Sequence, residues 1–513
     1  MNALRVVDLL WHAARHHPER VAIRIDGVER SFSQLASRVQ ALAAHWSSTV
    51  QPGQRIGLWF HNCPSWVESF LALNALGAVA VPINTRLTEV ELKKLLGLAQ
   101  LHGLVTTGFY RRRRYLEEAM QALDDANSQV RVWQADDLLP PHAWPVCTVG
   151  PHSAREPVPM PADVFCIQYT SGTTSLPKGV MLTNAAYLAT ASCVARCQGL
   201  SPSSQFLSAG PFFHCSGSMH ALTVCLLSAC TLTSMSVWDP EQFLDLVEQH
   251  RCDVSHMVYF RDVLALGAER ARQKLSSMQV SHDLGTPAFL QRIHDELDIP
   301  GISNIYGMTE TAGQFTMWYP DDPLTLRLSA NGRPQPGNEI RIVDPVHLAP
   351  VPDGSTGEIQ MRGHTLSLGY FANPQAQAEA LTADGWFRSG DLGRLEQGHL
   401  VYVARLKEII RVGGENMAPA EVEEALREIC GSQMVCVLGM PDARLDEVPA
   451  AVLVQPLMQE WPQVLALLRQ RLASFKVPRS VYLADALPNT ATNRVQRAVL
   501  RSWIEQDKLE RVV

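Results

Sequence analysis

The sequence predicts a multi-layer α/β protein: a large N-terminal α/β domain with a β-rich subdomain, followed by a small α+β C-terminal domain. Three observations carry this expectation. Through most of the chain, segments with helical apolar spacing alternate with short apolar runs, the pattern of helices layered on sheets. From about Asn331, short alternating segments such as EIRIV, GEIQMRG and HLVYVA, punctuated by Gly and Pro, point to antiparallel β structure. After Arg405 the texture returns to β/α over a stretch long enough for a domain of about 100 residues. The expected divisions are 1–404, with the β-rich part at about 331–404, and 405–513.

The clearest local unit runs from Ser65 to Leu96. There SWVESFLALNALG reads as a helix leading into the apolar AVAVPIN, and Thr88 with Glu91 forms a capping box that opens the helix EVELKKLL. From Asp137 to Asp163 the chain is Pro-rich and aperiodic, which predicts a surface connection. VFCIQYT then reads as a strand and NAAYLATASCVARC as a helix. Beyond Arg405, the segments VEEALREIC, MVCVLGM, AAVLVQP, VLALLRQRL and SVYLADAL read together as a β/α unit. No internal repeat is present.

With 46% hydrophobic and 19% charged residues the composition is that of a globular protein. A formal net charge of −7 leaves no basic footprint for nucleic acid. The run Arg111–Arg114 reads either as a solvated turn or as a contact for an anion such as a cofactor phosphate or lipid headgroup. Eleven cysteines occur without a CxxC pair. Cys193 and Cys197 lie one helical turn apart but lack a ligand-spaced histidine, so buried thiols in a reducing cytoplasm are expected. The amphipathic, charged N-terminal stretch is unlike a signal peptide. Apolar runs at 71–83 and 221–233 are too short or too interrupted to span a membrane. A soluble cytoplasmic protein is expected.

The stretch YTSGTTSLPKGV, at 169–180, gathers hydroxyls, glycines and a cation at the end of an apolar strand. Successive backbone N–H groups in such a turn form an anion nest, and a lysine adds a compact positive charge suited to phosphate. The Walker pattern does not fit, because Pro177 precedes Lys178 and Gly179 follows it. The order instead resembles the phosphate loop of the adenylate-forming superfamily, which contains acyl-CoA synthetases, peptide-synthetase adenylation domains and beetle luciferases. Further segments are similar to that superfamily in the same order: PFFHCSG at 211–217, NIYGMTET at 304–311, GEIQMRG at 357–363, GWFRSGDLG at 385–393 and ARLKEIIRVGGENMAPAEVE at 404–423. The resemblance runs from about Leu9 to Arg501.

The resemblance implies an enzyme that activates a carboxylic acid as acyl-AMP, releases pyrophosphate and passes the acyl group to coenzyme A, using ATP and Mg²⁺. It implies that Thr170, Ser171, Gly172, Thr173, Thr174 and Lys178 hold the ATP phosphates, that Glu310 binds magnesium and that Thr309 donates to the α-phosphate. Tyr306, with Gly285 and Thr286 of a partly retained GGAP-like segment, would flank adenine, while Asp391 and Arg405 would clamp the ribose. His214 is either an aromatic gate or a packing residue. With Met219, Tyr259 and Ile305 it is a candidate wall of the acyl pocket. That wall favours a neutral acyl tail, while Tyr259 and Phe260 keep a quaternary ammonium open. Lys407 matches the hinge about which the small mobile domain turns, and Gly413, Gly414 and Glu415 would face the pantetheine arm.

One position departs from the pattern: Asn493 and Arg494 stand where the superfamily has Gly-Lys. Either Arg494 grips carboxylate and phosphate with its fork, or adenylation is impaired and the protein binds an adenylate. A carrier-protein phosphopantetheine is an alternative acceptor to free CoA. NTRL at 84–87 resembles acyl-CoA synthetases, and HNCPSW at 61–66, TSGTTS and RVGGEN at 411–416 resemble the crotonobetaine/carnitine-CoA ligase-like branch. Relatives of this kind are monomers or homodimers.

Overall fold

The computed structural model of the protein describes residues 4–125, 130–137, 139–148, 161, 163–170, 177–256, 258–319, 322–412, 415–432, 434–454, 460–489 and 495–513. They fall into two compact units, one within Met1–Ser171, Leu176–Glu339 and Arg362–Gly385, the other within Ile340–Met361 and Trp386–Val513.

The first unit is built on two seven-stranded sheets. One runs Gly301–Ser303, Val280–His282, Val254–His256, Gln205–Ser208, Thr231–Ser234, Val21–Ile25 and Val28–Ser31, parallel except for the last strand. The other runs Val146–Thr148, Arg131–Gln134, Gly103–Thr106, Arg55–Trp59, Val79–Pro82, Val164–Thr170 and Lys178–Thr183, with antiparallel strands at both edges. Strands such as Val79–Pro82 are buried along their whole length. Helices cover both faces of a parallel sheet, so such strands lose the alternation of a half-exposed strand.

Helices lie in three layers around these sheets. Between them, Pro64–Leu76 is buried from Pro64 to Asn74, and its Trp66 and Phe70 join a core shared with Phe206 of one sheet and Leu182 of the other. A helix apolar over most of its circumference is stable only inside, and Glu68, its one charged residue, is paired there. On the outer face of the second sheet pack Glu89–Ala99 and Tyr115–Asp125, and on the outer face of the first pack Pro240–His250 and Pro287–Leu297. The expected capping box is present: Glu91 N–H donates to Thr88 Oγ1, and Thr88 N–H donates to Glu91 Oε2 at 2.8 Å. Gly77 closes the preceding helix at φ 69°, a conformation that favours glycine.

Two local readings change. The Pro-rich tract after Asp137 contributes the edge strand Val146–Thr148, and Trp144 is buried 6.3 Å from the ring of Trp46. In the arginine run, Arg113 is a structural anchor, donating to the carbonyls of Thr85 and Leu87, pairing with Glu118 at 2.7 Å and covering Trp59. Its three neighbours are exposed.

The second unit contains a four-stranded sheet, Asn338–Val343, Gly357–Gly363, Phe387–Glu396 and His399–Arg405. It also holds a sheet centred on Asp446–Val454, which pairs antiparallel with Val435–Asp442 and parallel with Ser480–Ala484. Helices Pro419–Cys430 and Trp461–Arg471 pack on one face of the latter and Arg497–Glu505 on the other. Arg497 ties this unit together, reaching Glu408 at 3.0 Å, Glu423 at 2.6 Å and the Val437 carbonyl at 3.1 Å.

Glu68 is the charged group most deeply set in the helical layer between the large sheets. Burial raises its pKa, against the opposing pull of Arg38 at 2.5 Å and Arg30 at 3.6 Å. Arg38→Ala leaves that carboxylate with the longer contact alone. We expect it to lower the free energy of unfolding by about 3 kcal/mol, read as a lower urea midpoint at unchanged slope.

Candidate active site

Every parallel strand of the first sheet ends on the same side, and in an open α/β sheet that edge is where ligands bind. The segments singled out from sequence gather at strand ends of this kind. Thr170 closes the strand Val164–Thr170 and stands opposite Lys178, the first residue of the antiparallel strand Lys178–Thr183. The two strands pair as a hairpin, and the second of them is inserted before the helix Asn184–Cys197. Ser171, Gly172, Thr173 and Thr174 lie outside the described residues, as do Gly413, Gly414 and Arg494.

Lys178 Nζ sits 5.0 Å from the ring centre of Tyr370, and Tyr370 Oη donates to Glu310 Oε1 at 2.9 Å. The backbone supports this chain from both sides. Met181 N–H donates to the Gly369 carbonyl and Phe371 N–H to the Gly179 carbonyl, so 368–371 extends the sheet beside Lys178–Thr183. Ser367 N–H donates to the Glu310 carbonyl at 2.7 Å. Lys178 and Glu310, 132 positions apart (310 − 178) in the numbering, are thus joined by one short segment.

Glu310 lies on the tight turn Thr309–Thr311, in which Thr309 is buried. The turn follows Gly307, where a Cβ would come within 2.5 Å of Gln314 Cα, so only glycine allows the two backbones to approach. Tyr306 is buried, its N–H held by Thr316 Oγ1 at 3.0 Å. Asn304 connects this segment to the partial GGAP-like one, donating to the Gly285 carbonyl at 2.9 Å. Thr286 caps the helix Pro287–Leu297 through its hydroxyl.

His214 caps the turn Cys215–Gly217, its Nδ1 accepting from Ser216 N–H, and burial lowers its pKa to about 4. Met219 and Ile305 are buried, while Tyr259 is partly covered and packs edge-on against Trp238. In the second unit Arg405 Nε meets Asp391 Oδ1 at 3.0 Å across paired strands. There too Lys407 lies exposed on the turn Leu406–Glu408, and Glu415 is exposed at the start of the strand Glu415–Met417.

Several positioning residues were not singled out in the sequence. Tyr370 belongs to no recognised motif, and nothing local marks it. Gln168 is a polar residue in an otherwise apolar strand, which was a usable signal. Its amide donates to Tyr187 and Ser218 and accepts from Cys215, fixing the PFFHCSG segment to the strand before the turn. Asn62 of HNCPSW holds the same segment, accepting from Phe212 N–H at 2.7 Å and donating to the Gly210 and Met235 carbonyls. Among the described residues no cluster of His, Cys, Asp and Glu fits a metal, the eleven cysteines are free thiols, and no helix is long and apolar enough to cross a membrane.

Within the first unit, Lys178 and Glu310 meet through Tyr370, and the folds of both units are those of an adenylate-forming enzyme. The chain belongs to the AMP-binding enzyme family, whose profile matches residues 10–371, with the AMP-binding enzyme C-terminal domain matching 421–494. It is 33% identical over 515 residues to the 3-[(3aS,4S,7aS)-7a-methyl-1,5-dioxo-octahydro-1H-inden-4-yl]propanoyl:CoA ligase of Rhodococcus jostii (strain RHA1), covering 96% of this chain and 97% of that one. It is 32% identical over 495 residues to a feruloyl-CoA synthase of an Amycolatopsis species, covering 95% and 96%. The structure of o-succinylbenzoate CoA synthetase from Bacillus subtilis with its acyl-adenylate intermediate superposes with a TM-score of 0.82 at 25% identity, covering 96% of this chain and 97% of that one.

Asp283, at the end of the strand Val280–His282, carries a pH signature. Burial pushes its carboxyl up to about 7 against the lowering pull of Arg261 and of the Leu284 and Phe260 N–H groups. A folded pKa above the unfolded one gives stability that is fully present below about pH 4 and lost as pH rises through 7. Asp283→Asn is therefore expected to melt above the parent protein at pH 8 and level with it at pH 4, in paired thermal scans.

Proposed function

We propose that this protein is an ATP- and Mg²⁺-dependent acyl-CoA ligase acting on a neutral, ring-bearing carboxylic acid. A carboxylate oxygen attacks the α-phosphorus of ATP and pyrophosphate leaves. The thiol of CoA then displaces AMP from the acyl carbonyl. The supporting observation is the chain Lys178, Tyr370, Glu310, which places a cation over one aromatic ring and a carboxylate on its hydroxyl. Hard oxygen donors suit magnesium, which takes one or two protein carboxylates and fills its shell with phosphate and water. Glu310 fits that demand, and magnesium bound there would offset phosphate charge.

In this reading Lys178 with Thr170, Ser171, Gly172, Thr173 and Thr174 would hold the outer phosphates, and Thr309 the α-phosphate. Tyr306, Gly285 and Thr286 would receive adenine, Asp391 and Arg405 the ribose, and Arg494 the reacting carboxylate. Lys407 would be the hinge between the two half-reactions, with Gly413, Gly414 and Glu415 toward the CoA arm. His214, Met219, Tyr259 and Ile305 would wall the acyl site. The named relatives, one an indenyl-propanoyl:CoA ligase and another a feruloyl-CoA synthase, support a ring-bearing acid and free CoA as the acceptor.

The test is an acid panel with ATP and Mg²⁺, scoring pyrophosphate and AMP with CoA present and absent. The expected result is acid-dependent pyrophosphate, with sustained AMP release only when CoA is supplied. Release of ADP, or turnover indifferent to any acid, would refute the reading. In the same assay Tyr370→Phe keeps the ring beside Lys178 but removes the donor to Glu310, and kcat/KM for ATP is expected to fall about tenfold.

A further inference from the structure

The carboxyl ends of the first sheet carry more polar groups than the steps above require. Ser208, His256, His282 and Ser303 are aligned across four neighbouring parallel strands, and all four are buried. In-register residues of parallel strands share a face, and here it is the inner one, since Phe206 and Val254, two positions earlier, belong to the core between the sheets. Against it lies His220, whose ring stacks on His256 at 4.5 Å; His256 in turn meets His282 edge-on at 6.0 Å. Three imidazoles therefore share one buried spot.

The backbone is shaped to bring His220 there. It sits on Ser218–Thr223, a π-helical stretch, a rare form that is frequent at functional sites. Gly313, at φ +94°, lies so close that a Cβ would come within 2.7 Å of His220 Nε2. Gly313 follows the turn Thr309–Thr311, so the cluster borders the segment that carries Glu310. Tyr259 and Ile305 leave the ends of the strands that carry His256 and Ser303.

The hydrogen bonding of this cluster is incomplete. His282 Nδ1 is satisfied by Ser303 Oγ at 2.8 Å, but its Nε2 is buried without a partner, and so is Nδ1 of His220. Native proteins seldom leave such atoms unmatched without a reason. Burial lowers the pKa of His220 to about 3 and of His282 to about 4, and lowers that of His256 well below its ordinary value. At neutral pH the rings are uncharged, each offering one donor and one acceptor. A second carboxylate would find no cation among them, and an ammonium would find no carboxylate.

We infer that His220, His256 and His282 form the polar end of the acyl site, and that the acid carries on its tail a neutral oxygen, a hydroxyl or a carbonyl, that hydrogen-bonds to His282 Nε2 and His220 Nδ1. This inference rests on the ligase reading and adds to it the chemistry of the tail. A site built to hydrogen-bond such an oxygen rejects the analogue that lacks it, because the site's own polar atoms are then buried unpaired.

The test compares 3-cyclohexylpropanoate with analogues carrying one hydroxyl or one oxo group at successive ring positions. Each acid is supplied for turnover and, separately, as its non-reacting acyl-sulfamoyl adenosine for binding. The best oxygenated member is expected to exceed the plain one by about 10- to 100-fold in kcat/KM and in affinity. In His220→Phe and His282→Phe that ratio is expected to collapse to within about threefold, whereas His282→Gln, which keeps an amide donor and acceptor, retains part of it. Melting curves confirm that each variant is folded. Equal affinity across the panel, a preference for the plain ring, or a ratio that survives both Phe replacements overturns the inference. If no acid supports pyrophosphate release, the ligase reading fails separately, and the sulfamate affinities still decide between a polar and an apolar cluster.

Discussion

The arrangement of the first unit depends on one short clasp, residues 367–371. It joins by backbone to the strand that leaves the hydroxyl-rich turn and to the turn that carries Glu310. Its Tyr370 contacts both Lys178, through the ring, and Glu310, through the hydroxyl. Opposite charges in direct contact spend their fields on each other. Each bound to the tyrosine in place of the other, the lysine keeps its charge for an anion and the carboxylate keeps oxygens for a cation. A site for a magnesium–polyphosphate complex needs both, close together and not mutually neutralised.

Around that clasp, rigidity comes from close backbone approach and from buried amides. Gly307 lets the Glu310 turn fold against Gln314, and Gln168 of the strand Val164–Thr170 and Asn62 hold the PFFHCSG segment at two points. Such contacts fix a geometry because a buried amide left unpaired is costly. The helix Pro64–Leu76 between the sheets contributes Trp66 and Phe70 to the core that both sheets share.

Much of this was legible in the sequence where the signal is local. Helices with strong periodicity, the Thr88–Glu91 capping box and the alternating strands after Asn331 are formed by neighbours in the chain. What escaped local reading depends on distant partners. Trp144 is buried because Trp46 and a sheet edge are there to receive it, and Val146–Thr148 is a strand because Arg131–Gln134 offers an open edge. Arg113 was one of four identical letters until Trp59 and two carbonyls selected it. The candidate site divides the same way. Lys178, Tyr306 and Glu310 stand in recognisable motifs, while Tyr370 acquires its place only through pairing with a strand about 190 residues earlier.

In the proposed first step an acid's oxygen becomes bonded to the α-phosphorus of ATP. A turnover with carboxyl-¹⁸O acid, ATP, Mg²⁺ and CoA, followed by mass spectrometry of the nucleotide, reads that bond directly. One labelled oxygen transferred into the phosphate of AMP is the predicted result. Unlabelled AMP, with the label retained in the acyl product or found in orthophosphate, would contradict it.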